Sequence, residues 1–317
     1  MGAWAELLRV SALFTVPGDA LAGAAALGVG PNRGTALALG SSLCLYEAGM
    51  ALNDWADRDE DAIDRPHRPI PSGRIAPRSA LTAAAALTGA GLALSAAAGR
   101  RPLALATALA ATVWSYDLHF KHTRGGPAAM AAARSLDVLL GAVATGAAAA
   151  APVLPETWIS GGTGERAARA ATTTPRARAA LPGAVVMGAH TYAVTSVSRH
   201  EAHGGSTLVP LTALAATLGL GALAALEQRT AKGSTASARL LVTALAGAYV
   251  RTAAKPFLHA ALNPSPALTQ RAVGGGIRAM IPLQAALAAR AGGGATALAV
   301  MGLVPLARKL ARKVSPT

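Results

Sequence analysis

The sequence predicts an all-α fold: a polytopic membrane bundle of nine or ten transmembrane helices around a central cavity. Three observations carry this expectation. Of 317 residues, 52% are hydrophobic and only 14% charged, where an average soluble domain carries roughly a quarter charged residues. Apolar segments recur at the length a helix needs to cross a hydrocarbon core of about 30 Å, namely about 20 residues. The segments are rich in Ala and Gly rather than Leu, which suits close helix packing inside lipid. A soluble enzyme, a disordered chain and a coiled coil are all disfavoured by the same numbers.

In chain order the expected spans are 7–29, 34–53, 79–98, 102–118, 127–151, 180–198, 207–226, 238–257, 272–290 and 294–308. The segment 79–98 holds no charge and is the clearest of them. The Gly-rich 272–308 region reads either as two spans or as one span with an interfacial piece. Between the fifth and sixth spans, 152–179 carries four arginines among Gly, Thr and Ala, and is expected to be a flexible loop insertion in a single domain covering 1–317. Glu6 and Asp19 interrupt the first apolar stretch, so it does not read as a cleaved signal peptide. The net charge of +14 is scattered between apolar segments rather than gathered on a basic helix, which favours a lipid bilayer over nucleic acid as partner. Loop charges give a weak positive-inside bias with both termini cytoplasmic. The expected location is the cell (inner) membrane, with several passes. A lone cysteine, Cys44, excludes an internal disulfide and a cysteine-based zinc cluster.

Six of the fifteen acidic residues fall between 54 and 64. If the second span continues as helix, Asn53, Asp57, Asp61 and Asp64 recur at spacings of four, four and three, and Asp54, Asp57 and Asp61 at three and four, stacking oxygen ligands along one face. Like charges so placed repel. A hard cation such as Mg²⁺ relieves that repulsion and is characteristically held by a few carboxylates together with substrate phosphates. The competing reading is a solvated loop in which Arg58 and Arg65 pair with Asp54 and Asp61. Three prolines at 66, 69 and 71 then end the helix and stiffen the chain. This holds Arg65, Arg68 and Arg74 near the acidic column, where guanidinium groups grip phosphate oxygens bidentately. Such a mixed face suits a substrate with a diphosphate head and an apolar tail. Positive-inside anchoring explains any one of these arginines equally well.

Charged groups within spans are costly unless they pair or face a cavity. Arg134 and Asp137, three apart, are expected to satisfy each other. Asp19 and Glu47 are the more open candidates for an acceptor or prenyl pocket, with Tyr46 and Tyr192 among the aromatics near span ends. Those rings would shield an allylic cation or form an interfacial belt.

At Asn53-Asp54-x-x-Asp57-x-x-x-Asp61, at Arg65-Pro-x-Arg68-Pro-Ile-Pro-Ser-Gly73, and at Tyr116-x-x-x-x-Lys121, the chain resembles the UbiA superfamily of intramembrane prenyltransferases, with some similarity to an EboC-like branch. The motifs agree in order and span placement, and the resemblance covers nearly the whole chain. It implies Mg²⁺-dependent transfer of a prenyl group from a prenyl diphosphate to a small acceptor, expected to be aromatic (4-hydroxybenzoate-like or a quinone precursor), at the cytoplasmic side. By that resemblance Asp54, Asp57, Lys121 and Tyr116 are the catalytic candidates, and Asn53, Asp54, Asp57 and Asp61 the metal ligands. Arg65, Arg68 and Lys121 would bind the diphosphate. The family's second Asp-x-x-x-Asp motif falls here on Ser196 and His200. That departure brings Glu201 forward as a metal ligand, Arg199 and His200 as diphosphate contacts, and Ser196 as a pocket residue. Two other readings stay open: an intramembrane terpene cyclase acting on a prenyl diphosphate without acceptor, and a non-catalytic lipid-binding or transport protein.

Overall fold

A computed structural model describes residues 2–150, 177–201, 204–230 and 235–314. All regular structure among them is helical. The expected insertion at 152–179 lies outside the described residues except for its last three positions.

The chain opens with α1 (Ala3–Leu7), a 3₁₀ segment (Val10–Thr15) and α2 (Pro17–Ala25). This corrects the expected first span over 7–29, which does not form one helix. The cause is local: Arg9 adopts the left-handed conformation at φ +47°, and Pro17 starts a new helix at its first turn, where its missing N–H costs nothing. Nine helices of sixteen or more residues follow among the described residues. They are α3 (Arg33–Ala56), α5 (Pro77–Ala98), α6 (Arg100–Ser115), α7 (Gly126–Ala150), α8 (Leu181–Ser198), α9 (Leu208–Thr230), α10 (Ala236–Leu262), α11 (Pro266–Arg290) and α12 (Gly294–Val314), with the short α4 (Arg58–Asp64) after α3. Five of the nine are long and apolar enough to cross a membrane by length and composition. The 272–308 region resolves into two helices, α11 and α12, parted at Gly292 with φ +87°.

α3 starts with a capping box. Thr35 N–H donates to Asn32 Oδ1 (3.2 Å), and Asn32 N–H to Thr35 Oγ1 (3.0 Å), satisfying two otherwise orphaned donors. Asn32 Nδ2 donates onward to the Thr145 carbonyl (3.0 Å), so the cap also pins α3 to α7. Close helix contact depends on small residues. A Cβ on Gly23 would lie 1.9 Å from the Val138 carbonyl oxygen, and one on Gly141 2.3 Å from that of Ala20. The α2 and α7 backbones therefore touch, as the Gly content anticipates. α11 is the most enclosed of the five apolar spans and packs against α2, α8, α10 and α12.

Candidate functional site

α3 and α4 are nearly one helix. Backbone bonds Asp57 N–H to Asn53 O (3.0 Å) and Asp61 N–H to Asp57 O (2.8 Å) run through the break at Asp57. Asn53, Asp57 and Asp61 thus remain stacked at four-residue spacing, with Asp54 and Asp61 buried. Opposite stands a π-helical turn, Tyr116–Phe120, that ends α6 and delivers Lys121. Lys121 Nζ donates to Asp57 Oδ2, and Asn53 Nδ2 donates to Asp117 Oδ1 at 3.0 Å. Wide turns of this kind often mark functional positions.

Two further segments close over the carboxylates. In the 65–75 loop, Ile70 and Ile75 plug a buried cluster with Leu7, Ala51, Leu52, Ala80 and Ala84. Burial of that plug holds the loop's polar residues over the helix end. Arg68 Nη1 bridges Asp61 Oδ2 (2.6 Å) and Asp54 Oδ1 (3.4 Å), while Arg65 Nη1 reaches Asp61 Oδ1 (3.4 Å). From the N-terminal segment Arg9 Nη2 donates to Asp54 Oδ1 (3.1 Å) and Asn53 Oδ1 (3.4 Å). Burial raises the pKa of the Glu201 carboxyl, while the positive charges of Arg65 and Arg9 lower it. Arg199 is exposed but within electrostatic range of the Tyr116 phenol. His200 Nδ1 lies 3.3 Å from the Ser196 carbonyl oxygen.

Behind the polar mouth lies a cavity of about 220 Å³. Its lining includes Arg9, Asn53, Tyr116 and Asp117 at the polar mouth, an apolar waist of Leu45, Gly49, Met50, Leu109, Val113 and Met130, and the further polar residues Ser42, Tyr46, Arg134, Asp137 and Thr191. On α3 the lining residues 42, 45, 46, 49, 50 and 53 form one face at helical spacing.

The sequence placed several residues differently. Arg134 does not pair with Asp137. It donates to Asp19 on α2, and Asp137 accepts from Ser42 on α3, because the Gly-mediated approach of α2 and α3 to α7 brings those partners across. Asp19 is fully buried and also accepts from Gln284 Nε2 (2.9 Å), so it is a closed ion pair and not an open pocket residue. Glu47 is buried with neither carboxylate oxygen hydrogen-bonded, and does not line this cavity. Tyr192 is 48% exposed on the outer surface, and Ser196 donates to the Tyr192 carbonyl in its own helix; neither lines the cavity. Tyr46 does. Arg58, expected in the solvated reading to pair with Asp54, instead stacks over Trp55 (4.8 Å) and reaches Asp59 (3.4 Å).

Sequence reasoning missed Arg9 and Asp117. Asp117 was legible beside Tyr116 in the Tyr-x-x-x-x-Lys element. Arg9 carried only the weak signal of a lone cation before an apolar stretch. The donor set is carboxylate-rich, which fits a hard divalent cation such as Mg²⁺. Asp57 and Glu60 oxygens and a His122 ring nitrogen all lie within 4.8 Å of one another, and Asn53, Asp54 and Asp61 supply further oxygens one turn away.

A sequence model described as the UbiA prenyltransferase family matches residues 11–201. Digeranylgeranylglyceryl phosphate synthase of Methanopyrus kandleri is 34% identical over 128 residues, 39% of this chain and 45% of that protein. The synthase of the same name from Ignicoccus hospitalis is 34% identical over 144 residues, 45% of this chain and 47% of that protein. The matches thus span under half the length of these curated relatives. A solved UbiA homologue from Archaeoglobus fulgidus bound to GPP and Mg²⁺ superposes with a TM-score of 0.60 at 18% identity, covering 95% of this chain and 99% of the other; it shares the fold. Apolar spans and this fold together make the protein an integral membrane protein. With the family match covering more than half of the chain, the protein belongs to the UbiA prenyltransferase family.

Proposed function

We propose that this chain transfers a prenyl group from a prenyl diphosphate to an acceptor, using Mg²⁺, from the cytoplasmic face of the cell membrane. The observation that carries the reading is the convergence of the Asn53–Asp54–Asp57–Asp61 column, Lys121 and three arginines on the mouth of a cavity with an apolar waist. Mg²⁺ bound by these carboxylates would supply charge neutralisation for the departing diphosphate.

The residues divide the remaining work. Arg9, Arg65 and Arg68 now sit on carboxylates, and transfer of their fork-shaped donors to phosphate oxygens holds the head group. Lys121 stands where negative charge grows as the allylic C1–O bond breaks, the place where electrostatic stabilisation counts most. Asn53 fixes Asp117, and the pair orients the mouth below Tyr116. The apolar waist keeps water from the allylic cation until the acceptor nucleophile bonds to C1 and loses its proton.

The relatives' name specifies a prenylated glyceryl phosphate, whereas the sequence led to an aromatic acid. We therefore place an alcohol oxygen of a glyceryl phosphate first and the aromatic acceptor second. Incubation of purified protein with Mg²⁺, geranyl or geranylgeranyl diphosphate, and either acceptor class, followed by mass spectrometry, decides between them. Absence of any prenylated product with release of a cyclic hydrocarbon would establish the cyclase reading instead.

A further inference from the structure

Asp54, Asp57 and Asp61 each contact a cation that belongs to the chain. Asp54 Oδ1 takes Arg9 Nη2 (3.1 Å) and Arg68 Nη1 (3.4 Å). Asp61 takes Arg68 on Oδ2 (2.6 Å) and Arg65 on Oδ1 (3.4 Å), and Asp57 takes Lys121. These acceptors are desolvated: the Asp54 and Asp61 side chains are 6% and 3% exposed, and that of Arg68 only 21%. Arg9, Arg68 and Lys121 come from three separate segments, so their convergence is made by the fold and not by neighbours along one helix.

A divalent metal uses the same oxygens, so metal and guanidinium compete for them. A bare ion either adds its charge beside two arginines held in place or displaces them and strands partly buried cations, and both are costly. A metal carried on a diphosphate does neither, because phosphate oxygens accept the guanidinium groups that the carboxylates release. We propose that Arg9 and Arg68 act as a filter on the metal, making the column a poor site for the bare divalent ion and a good one for its complex with a diphosphate. This rests on the donor and metal assignment above and adds to it the form in which the metal is bound. The two ligands are then positively coupled through the protein. The signature is a reversal of sign: removing either arginine strengthens binding of bare metal and weakens binding of metal pyrophosphate. An arginine that only held phosphate, or only supported the fold, would not move the two in opposite directions.

The test is binding of Mn²⁺, which shares the oxygen preference of Mg²⁺, to the full chain in phosphatidylcholine nanodiscs, read by paramagnetic resonance of the free ion. Without pyrophosphate, Arg9→Ala and Arg68→Ala should each bind Mn²⁺ at least about fivefold more tightly than the unmodified protein. Arg58→Ala is the control: it removes the same charge beside Asp57, but its guanidinium rests on Trp55 and Asp59. Its Mn²⁺ affinity should stay within about twofold of the unmodified protein. With pyrophosphate present the order reverses, and Arg9→Ala and Arg68→Ala should bind the Mn²⁺ complex about tenfold more weakly. Should neither variant fold, the unmodified protein decides, since it should bind Mn²⁺ alone at least about thirtyfold more weakly than the complex. Mn²⁺ affinity that is unchanged in folded Arg9→Ala and Arg68→Ala overturns the filter, as does an equal gain in Arg58→Ala. Comparable affinity of the unmodified protein for bare Mn²⁺ and for the complex overturns it too. Failure of Mn²⁺ and pyrophosphate together to bind any of these proteins would remove the metal assignment and this inference with it.

Discussion

Glu6 and Arg74 form a two-pronged ion pair, Nη1 to Oε2 at 2.7 Å and Nη2 to Oε1 at 3.2 Å. The pair joins two segments that each deliver an arginine onto the same oxygen, Asp54 Oδ1: Arg9 from the N-terminal piece and Arg68 from the 65–75 loop. Arg74 also donates to the His67 carbonyl and to Ser72 Oγ (2.9 Å), so it braces the loop that it latches.

Glu6→Gln is accordingly expected to raise KM for the prenyl diphosphate a few-fold with little change in kcat, because an exposed pair contributes modestly. The charge-swapped variant, Glu6→Arg with Arg74→Glu, should recover most of the loss. Failure of the swap to recover it, with both proteins folded, would show the latch to be incidental.

The Arg74 guanidinium holds the Glu6 carboxyl below its ordinary value. The latch is therefore fully present above the usual carboxylate range and is lost only as pH falls through the lowered value. Protection of amides 3–9, measured against their intrinsic exchange rates, should hold from neutral pH through mild acid and fall a few-fold below it. In Glu6→Gln, that few-fold lower protection should be present across the whole range.

Asp57 and Lys121 are in direct contact, so their single variants differ in kind. Asp57→Ala should abolish detectable turnover while membrane insertion persists. Lys121→Ala should lower kcat by about 10²-fold or more, the scale of losing one donor from a developing negative charge. Product formation assayed in membranes at equal protein level checks both, and full activity of Asp57→Ala would defeat the metal assignment.

Arg9→Ala and Arg68→Ala each remove one donor from Asp54. Each should weaken binding of inorganic pyrophosphate with Mg²⁺ by about tenfold, as expected for a charge-assisted contact of about 1.5 kcal/mol. Titration calorimetry on the purified protein measures it directly.

Gly141→Leu is expected to destabilise the fold by about 2 kcal/mol or more, since even a Cβ there would lie 2.3 Å from the Ala20 carbonyl oxygen and the backbones must part. A lowered melting temperature in detergent, together with loss of monodispersity, is the readout. Gly89→Ala, with nothing near its added Cβ, should be silent.

Much of the site was legible because its chemistry is local. Asn53, Asp57 and Asp61 share a face wherever the chain is helical, and Pro66, Pro69 and Pro71 end that helix whatever surrounds it. The apolar run lengths likewise announced the bundle, since the bilayer dictates them. The broken first span was not legible: its hydropathy is that of a span, and the left-handed turn at Arg9 follows from where Leu7 finds its cluster and where Arg9 finds Asp54.

What the amino-acid order decided by itself is therefore the helical bundle in lipid and the acid-and-arginine mouth, because helical periodicity and run length act between near neighbours. What only the tertiary structure decided is which charges meet. Arg134 prefers Asp19, 115 positions away, over Asp137 on its own helix, because a buried charge takes the partner that helix packing presses against it, and glycine contacts between α2 and α7 set that packing.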